Sequence, residues 1–262
     1  MVKPRVLILR TAGTNCDVET QFAFTLAGAA ADLVHINRLA AEPALFKLYQ
    51  IFVLPGGFTY GDYVAAGRVM AVEIERLLGE HLLEFVRCGG LVLGICNGFQ
   101  ILLRSGLVPC GKFMRPGERN ITLTANVSQK FEARWVRLQA PGHTICAFVE
   151  PGECLELPVA HGEGRILARH AQVLAEMAAK GQIAYRYAAP DGGEPVYPQN
   201  PNGSAEHIAG MCDATGRIFG LMPHPERHIF PWQHPRWTRE KRPAEGDGLR
   251  IFRRAVERAR AS

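Results

Sequence analysis

Residues 90–100 read GLVLGICNGFQ, and the fold turns on this stretch. Gly90 to Ile95 has the short, apolar, β-branched character of a buried strand, and it runs straight into Gly94-Ile95-Cys96-Asn97-Gly98. Beyond the turn, Phe99, Ile101, Leu102 and Leu103 carry the apolar spacing of a helix. A strand, a Gly-x-Cys-x-Gly turn and a helix form the cysteine version of a nucleophile elbow. In such a turn the nucleophile projects above the end of the sheet, and the glycines on either side let neighbouring backbone pass close by. The helix starts at the sulfur, so its unpaired N–H groups and positive dipole end favour a thiolate at Cys96. The N–H of Asn97 is then placed to donate to an oxyanion.

The chain around this turn alternates between strands and helices. Arg5–Leu9 reads as a buried strand, and Asp17 to Ala30 as a helix with Asp17 as N-cap and Gly28 near its end. Asp32–Ile36 and Gln50–Leu54 follow as strands, the latter ending in Pro55-Gly56-Gly57, and Arg68–Cys88 has helical periodicity. Near-continuous apolar strands alternating with helices imply a mostly parallel sheet covered on both faces, with sites at the C-terminal strand ends. The second half changes style. Trp135–Gln139, Thr144–Val149, Ile183–Tyr187, Ile208–Cys212 and Ile218–Leu221 read as short strands extending one edge of the same sheet, with one helix at Ala171–Lys180. The expectation is one α/β domain over residues 1–262, with a polar surface loop at about 228–248 and a C-terminal helix at about 249–260.

Composition narrows the classes. The chain is 47% hydrophobic and 21% charged, as a globular protein is. No stretch approaches the roughly 18 to 20 unbroken apolar residues of a membrane helix, and Val6–Leu9 is too short for a signal-peptide core. A cytoplasmic protein with no membrane partner is expected. The seven cysteines form no Cys-x-x-Cys pair, so neither a zinc site nor a redox dithiol is indicated. Of the net charge of +5, the segment from Arg227 to Ser262 carries ten Lys/Arg against four Asp/Glu. It ends in GLRIFRRAVERARA, with Leu249, Phe252, Ala255, Val256 and Ala259 on one helical face. No nucleic-acid motif accompanies the charge, so a helix docked on the body, or a surface for an acidic protein partner, is the reading.

A thiolate needs a base. In Leu221-Met222-Pro223-His224-Pro225-Glu226-Arg227 the prolines hold the backbone extended, so His224 and Glu226 point the same way. Glu226 can then orient one imidazole nitrogen while the other faces the sulfur, giving a Cys96–His224–Glu226 triad. The strand Ile218–Leu221 delivers His224 to the same sheet end as Cys96. Gly57, in the glycine turn after a neighbouring strand, offers a second oxyanion N–H. Other patterns carry less. Gly106-x-x-x-x-Gly111-Lys112 lacks the hydroxyl of a phosphate loop, since Phe113 follows. Pro225 and Pro231 break any helix that would align His224, His228 and His234 on a metal, so no metal is expected. His161-Gly-Glu-Gly164 holds an acid and a base too close together to complete the triad as well as His224 and Glu226 do.

Gly94-Ile-Cys96-Asn-Gly98-Phe-Gln100 with the late His224-Pro-Glu226 resembles the class I (triad) glutamine amidotransferases. Gly13-Thr-Asn-Cys-Asp17, Pro55-Gly-Gly-Phe-Thr-Tyr-Gly-Asp-Tyr63, Ala160-His-Gly-Glu-Gly164, Asn200-Pro-Asn-Gly-Ser204 and Met222-Pro-His-Pro-Glu-Arg227 narrow the match. Together they look like the glutaminase subunits of phosphoribosylformylglycinamidine synthases, and they span most of the chain in order. The resemblance implies a flavodoxin-like sheet and hydrolysis of glutamine. Ammonia would pass to a separate synthetase subunit, and a small accessory subunit is a further candidate partner. The synthetase would use ATP and Mg to convert formylglycinamide ribonucleotide to the amidine in purine synthesis, with no cofactor on this chain. It also implies that Gln100 contacts bound glutamine and that His161 and Glu163 line the same region.

Two features depart from that family. After Gly-Asp-Tyr it continues with leucine and arginine, whereas Val64-Ala-Ala-Gly-Arg68 stands here, so the arginine is displaced or absent. The segment 227–248 is also long, with His234-Pro-Arg-Trp237 inside it, and is similar to the end of the large fused form of the enzyme. The alternatives are another triad amidotransferase or γ-glutamyl hydrolase, or a non-enzymatic binding protein on the same sheet, against which the complete triad argues.

Overall fold

The computed structural model describes residues 2–241 and 243–261. In chain order the first half runs β1 (Arg5–Arg10), α1 (Asp17–Leu26), β2 (Ala30–His35), α2 (Ile36–Ala41), β3 (Ile51–Leu54), α3 (Arg68–Arg87), β4 (Leu91–Ile95), α4 (Asn97–Ser105) and α5 (Leu107–Cys110). The second half runs β5 (Ile121–Ala125), β6 (Glu132–Gln139), β7 (Cys154–His161), β8 (Glu163–Ala168), α6 (Ala171–Ala179), β9 (Ile183–Ala188), β10 (Ile208–Cys212), β11 (Ile218–Leu221) and α7 (Leu249–Ala261).

One nine-stranded sheet has the order β2-β1-β3-β4-β11-β10-β9-β6-β7, and β5 and β8 pair separately. The strands β2, β1, β3, β4 and β11 are parallel, while β10, β9, β6 and β7 extend the sheet antiparallel. This is the mostly parallel sheet with added edge strands that the apolar runs imply. Strand β4 sits beside the central strand β11, with Leu91, Val92, Leu93 and Ile95 all buried. Each such side chain contributes about 1.5–3 kcal/mol of burial. The step from β1 to β2 runs one way along the order and the step from β3 to β4 the other, so right-handed crossovers put α1 and α3 on opposite faces. α7 packs on α1, with Phe252 edge-on to Phe24 at 4.9 Å, and α4 packs on α3.

Local readings differ from the structure in several places. Helix α1 ends at Leu26, because Gly28 turns left-handed (φ +94°) and Ala30 already belongs to β2. Cys16, not Asp17, occupies the N-cap, and Asp17 is instead buried in an ion pair with Arg10 at 2.9 Å. Thr144–Val149 is irregular. Its N–H groups go singly to the carbonyls of Gly181 (from Ile145) and Gly216 (from Ala147), so its apolar residues fill a gap between turns without building a ladder. Strands β5, β7 and β8 and helices α2 and α5 are additional, and Ile36 begins α2 instead of ending β2. In the 228–248 stretch only Pro231–Gln233 forms a short 3-10 turn among the described residues, yet His228 and His234 are buried against Trp135. Also among the described residues, no helix is long and apolar enough to cross a membrane.

Candidate active site

The elbow follows from steric need. A Cβ on Gly94 would lie 2.7 Å from the Gly98 carbonyl oxygen, and one on Gly98 would lie 1.9 Å from that of Leu54. Only glycine at both positions lets α4 start this close to the ends of β3 and β4. Between them Cys96 takes φ +49° and ψ −102°, a conformation L residues rarely adopt and one that costs about 1–3 kcal/mol. Its N–H donates to the Leu221 carbonyl at 2.8 Å, tying the elbow to the end of β11. Strain held by a hydrogen bond at a strand end is how a scaffold aims a nucleophile.

β11 carries the chain on to His224, whose backbone N–H donates to Pro158 at 2.8 Å. Its Nδ1 lies 2.6 Å from Glu226 Oε1, with both side chains buried. Burial alone would push His224 down; Glu226, Cys96 and Cys16 outweigh it and hold the imidazole well above its ordinary range. Nε2 of His224 is buried without a protein partner, available to a group at the sulfur. The structure thus brings together the three residues that the two distant motifs single out.

The oxyanion candidates also converge. Asn97 opens α4, and the first N–H groups of a helix have no intrahelical partner. The Gly56-Gly57 turn crosses Gly13–Cys16 through hydrogen bonds from Asn15 and Cys16 to the Gly56 carbonyl, at 3.4 and 3.1 Å, and from Phe58 to the Gly13 carbonyl at 2.9 Å. Gly57 has φ +149°, and a Cβ there would sit 2.8 Å from Asn15 N and from Gly13 O. A Cβ on Gly56 would sit 2.8 Å from His224 Cε1, so this turn lies directly against the imidazole.

Around them runs a polar network. Asn97 Oδ1 accepts from the Thr59 N–H (3.2 Å) and hydroxyl (2.7 Å), while its Nδ2 donates to Asp62 (3.2 Å) and to Gln100 Oε1 (2.9 Å). Gln100 Nε2 donates to the Glu163 carbonyl at 2.6 Å. Both ends of the Gln100 amide are therefore occupied by protein, and they order the Thr59–Asp62 turn. Glu163 is paired with Arg104 at 2.8 Å and accepts from the Ala66 N–H at 3.3 Å, while Arg104 Nε donates to the Ala66 carbonyl at 2.6 Å. Glu163 thus latches the segment 57–67 to α4.

His161 ends β7, next to Ala160, whose carbonyl lies 3.7 Å from Cys96 Sγ. Asn126 Nδ2 donates to the Lys130 and His161 carbonyls, which leaves its Oδ1 to accept from His161 Nδ1 at 3.1 Å. Burial, with help from His224, pushes His161 down to about 3, so the ring is neutral and its buried Nε2 is a bare acceptor.

Sequence reasoning passed over Cys16 and Arg227 as parts of this site. Cys16 is buried, and Arg227 Nη2 donates to its sulfur at 3.1 Å. The available signal was Asn15-Cys16-Asp17 following β1, whose C-terminal end adjoins that of β3. One donor atom each of Cys16, His224 and Glu226 lie within 4.8 Å of one another, as do those of Glu156, His234 and Glu240. In the first set the short His224–Glu226 bond and the Arg227 contact already use the donors as an acid–base pair would. His228 and His234 pack on Trp135 and not with His224. Gly106–Lys112 holds the short α5 between two left-handed glycines and folds back on Met114 and Asp213, with helix α4 where a phosphate loop needs a preceding strand. A cavity of about 650 Å³ lined by Phe46, Tyr49, His81, Phe85 and Cys88 holds none of these residues.

Residues 3–257 match the family model described as the CobB/CobQ-like glutamine amidotransferase domain. The chain is 48% identical over 261 residues to phosphoribosylformylglycinamidine synthase subunit PurQ of Dehalococcoides mccartyi, covering 99% of each chain. It is 38% identical to the subunit of that name from Archaeoglobus fulgidus, over 97% of this chain and 96% of that one. Among solved structures it resembles a chain of PurLQS from Thermotoga maritima, with a TM-score of 0.73 at 29% identity over 98% of this chain and 99% of that one. A glutamine amidotransferase from the same organism, at 16% identity and a TM-score of 0.55 over the full length of both chains, shares the fold.

Proposed function

This chain belongs to the CobB/CobQ-like glutamine amidotransferase family, and from that premise we propose that it is the glutaminase subunit of a phosphoribosylformylglycinamidine synthase. It hydrolyses glutamine and passes ammonia to a synthetase subunit, which converts formylglycinamide ribonucleotide to the amidine in purine synthesis. ATP and Mg are assigned to that synthetase, and a small accessory subunit and a cytoplasmic setting complete the reading. The observation that carries it is the buried His224–Glu226 pair set against an elbow cysteine.

In this reading the Cys96 thiolate attacks the side-chain carboxamide of glutamine. The N–H groups of Gly57 and Asn97 hold the oxyanion, a contribution of about 2.7–4 kcal/mol per donor in comparable sites. His224, kept protonated by Glu226 and the thiolate, gives its proton to the departing ammonia, leaving a γ-glutamyl thioester. Neutral His224 then takes a proton from water, which attacks the thioester and frees glutamate. Gln100 and Glu163 hold the segment 57–67 over the site, and neutral His161 walls it.

Cys96, His224 and Gln100 are 4%, 2% and 3% exposed, so glutamine enters only when the segment 57–67 moves. We assign that opening to synthetase docking, with the basic segment 227–248 contributing to the interface. Charge reversal of Arg236, Arg239 and Lys241 is expected to weaken the complex, and an unaltered complex would remove that segment from it. The enzymatic test is glutamate release by wild type and Cys96→Ala, alone and with synthetase, ATP and formylglycinamide ribonucleotide. Release that rises with the synthetase and vanishes in the variant supports both the triad and the coupling. Release indifferent to the synthetase would keep the glutaminase and remove the purine assignment.

A further inference from the structure

Arg68 is the first residue of α3, a 20-residue helix. The first turn of α3 holds no acidic residue and no side chain caps it, so a cation sits where the helix dipole favours an anion. The Arg68 side chain lines a concavity of about 160 Å³ together with Arg104, Arg119, Pro116, Thr122 and Leu123. Three guanidinium groups on one small hollow repel each other unless something negative lies between them.

The donors that remain free face this requirement. The Arg68 guanidinium makes no hydrogen bond or ion pair among the described residues. Arg104 uses Nε on Ala66 and Nη2 on Glu163, and Arg119 uses Nε and Nη2 on the Met114 carbonyl, so Nη1 is uncommitted on both. Glu163 is engaged by Arg104 and Ala66, Asp62 also acts on Arg104, and Glu75 acts on Arg119. Burial pushes the Arg119 guanidinium down; Glu75 opposes this, and Arg104 and Arg68 add to it. Among the described residues neither Arg68 nor Arg119 forms an ion pair, whereas Arg104 is paired with Glu163.

We propose that the hollow between Arg68, Arg104 and Arg119 binds a phosphate group, either free phosphate or the terminal phosphate of a nucleotide. A dianionic tetrahedral group accepts several charge-assisted hydrogen bonds at once, and arginine forks suit it. A phosphate group also fits within a hollow of this volume. Arg104 links the site to the segment 57–67, since its other edge holds Glu163 and Ala66. An anion on Nη1 fixes that side chain and stiffens the segment over Cys96.

The test measures binding by the full chain alone, so it stands or falls separately from glutaminase activity. Isothermal titration with inorganic phosphate, AMP and ADP is run at ionic strength matched with chloride. One saturable site per chain is expected, weakened about tenfold or more in Arg68→Ala and Arg119→Ala. It should be unchanged in Arg76→Ala, an exposed arginine on the same helix outside the hollow. Arg68 is exposed and unpaired, so its alanine variant folds. Equal affinity for phosphate and nucleotides identifies free phosphate as the ligand, and tighter nucleotide binding identifies the nucleotide. Hydrogen exchange in residues 59–67 is expected to slow on adding phosphate. No saturable binding, binding indifferent to both variants, or binding of a triglutamate peptide in preference to phosphate would overturn the proposal.

Discussion

Replacing Glu226 with Gln keeps the shape of the side chain and removes its charge from a buried pair in which Nδ1 and Oε1 are 2.6 Å apart. Gln can still accept from Nδ1, so the geometry survives while the field at the imidazole is lost. Removing one partner of a buried pair costs about 3–5 kcal/mol. Neither side chain is exposed enough for solvent screening to reduce that figure much. The same loss of charge takes away the largest influence holding His224 up, and burial, which pushes it down, is then less opposed. A neutral His224 cannot protonate departing ammonia, and kcat should fall about 10²–10⁴-fold, equivalent to about 2.7–5.5 kcal/mol of barrier.

The pH dependence has a definite sign. His224 is raised above its unfolded value, so its contribution to stability is fully present below the ordinary histidine range. It is lost as pH rises through the raised folded value. The stability gap between wild type and Glu226→Gln should therefore be widest near about pH 6 and narrower near about pH 9. Urea unfolding at both pH values measures the gap, and glutamate release in the presence of the synthetase measures kcat. A kcat within about threefold of wild type, or a gap that widens as pH rises, would refute the assignment of Glu226 as the charge that poises His224.

Three further outcomes follow from the geometry. Gly56→Ala puts a Cβ 2.8 Å from His224 Cε1 and 3.2 Å from Cys16 Sγ; it should cost about 1–3 kcal/mol of stability and reduce glutamate release at least about 10²-fold, and wild-type activity would show that the imidazole has slack. His161 should remain neutral, with its proton on Nδ1, at about pH 5 in nitrogen NMR, and it should cost stability only as pH falls from the ordinary histidine range towards about 3; a protonated ring at about pH 5 would contradict the buried-acceptor description. Glu163→Gln weakens the latch on Ala66 and Arg104 without touching the triad, so KM for glutamine should rise more than kcat falls; steady-state kinetics with the synthetase distinguishes the two, and an effect on kcat alone would contradict the latch.

The parts of this architecture legible in the sequence are those where one physical signal dominates. The strands β1, β3 and β4 are buried on both faces, so they read as apolar runs whatever their neighbours. The elbow and the His224–Glu226 pair are local patterns, and parallel strand order brings them to one sheet end. β7 was missed because it alternates buried and half-buried residues and carries Pro158. Proline suits it as an edge strand, and the Pro158 carbonyl anchors the His224 backbone. Thr144–Val149 failed in the opposite way, since its apolar residues fill a gap without a partner strand. Cys16 and Arg227 meet across 211 positions of sequence, and no local pattern signals such a contact. Gln100 and Glu163 are legible as candidates, but the hold they exert on the segment 57–67 depends on side-chain partners that only the fold supplies.

Two buried cysteines act on His224, and the central claim is that Cys96 is the nucleophile. The most direct measurement treats the chain, with synthetase, ATP and formylglycinamide ribonucleotide, with a glutamine analogue bearing a γ-diazoketone, and locates the adduct by peptide mass spectrometry. Such an analogue alkylates the group that attacks the glutamine side-chain carbonyl. One equivalent on Cys96, none on Cys16, and none on either when His224 is replaced by alanine is the expected result. An adduct on Cys16, or equal labelling of both cysteines, would contradict it.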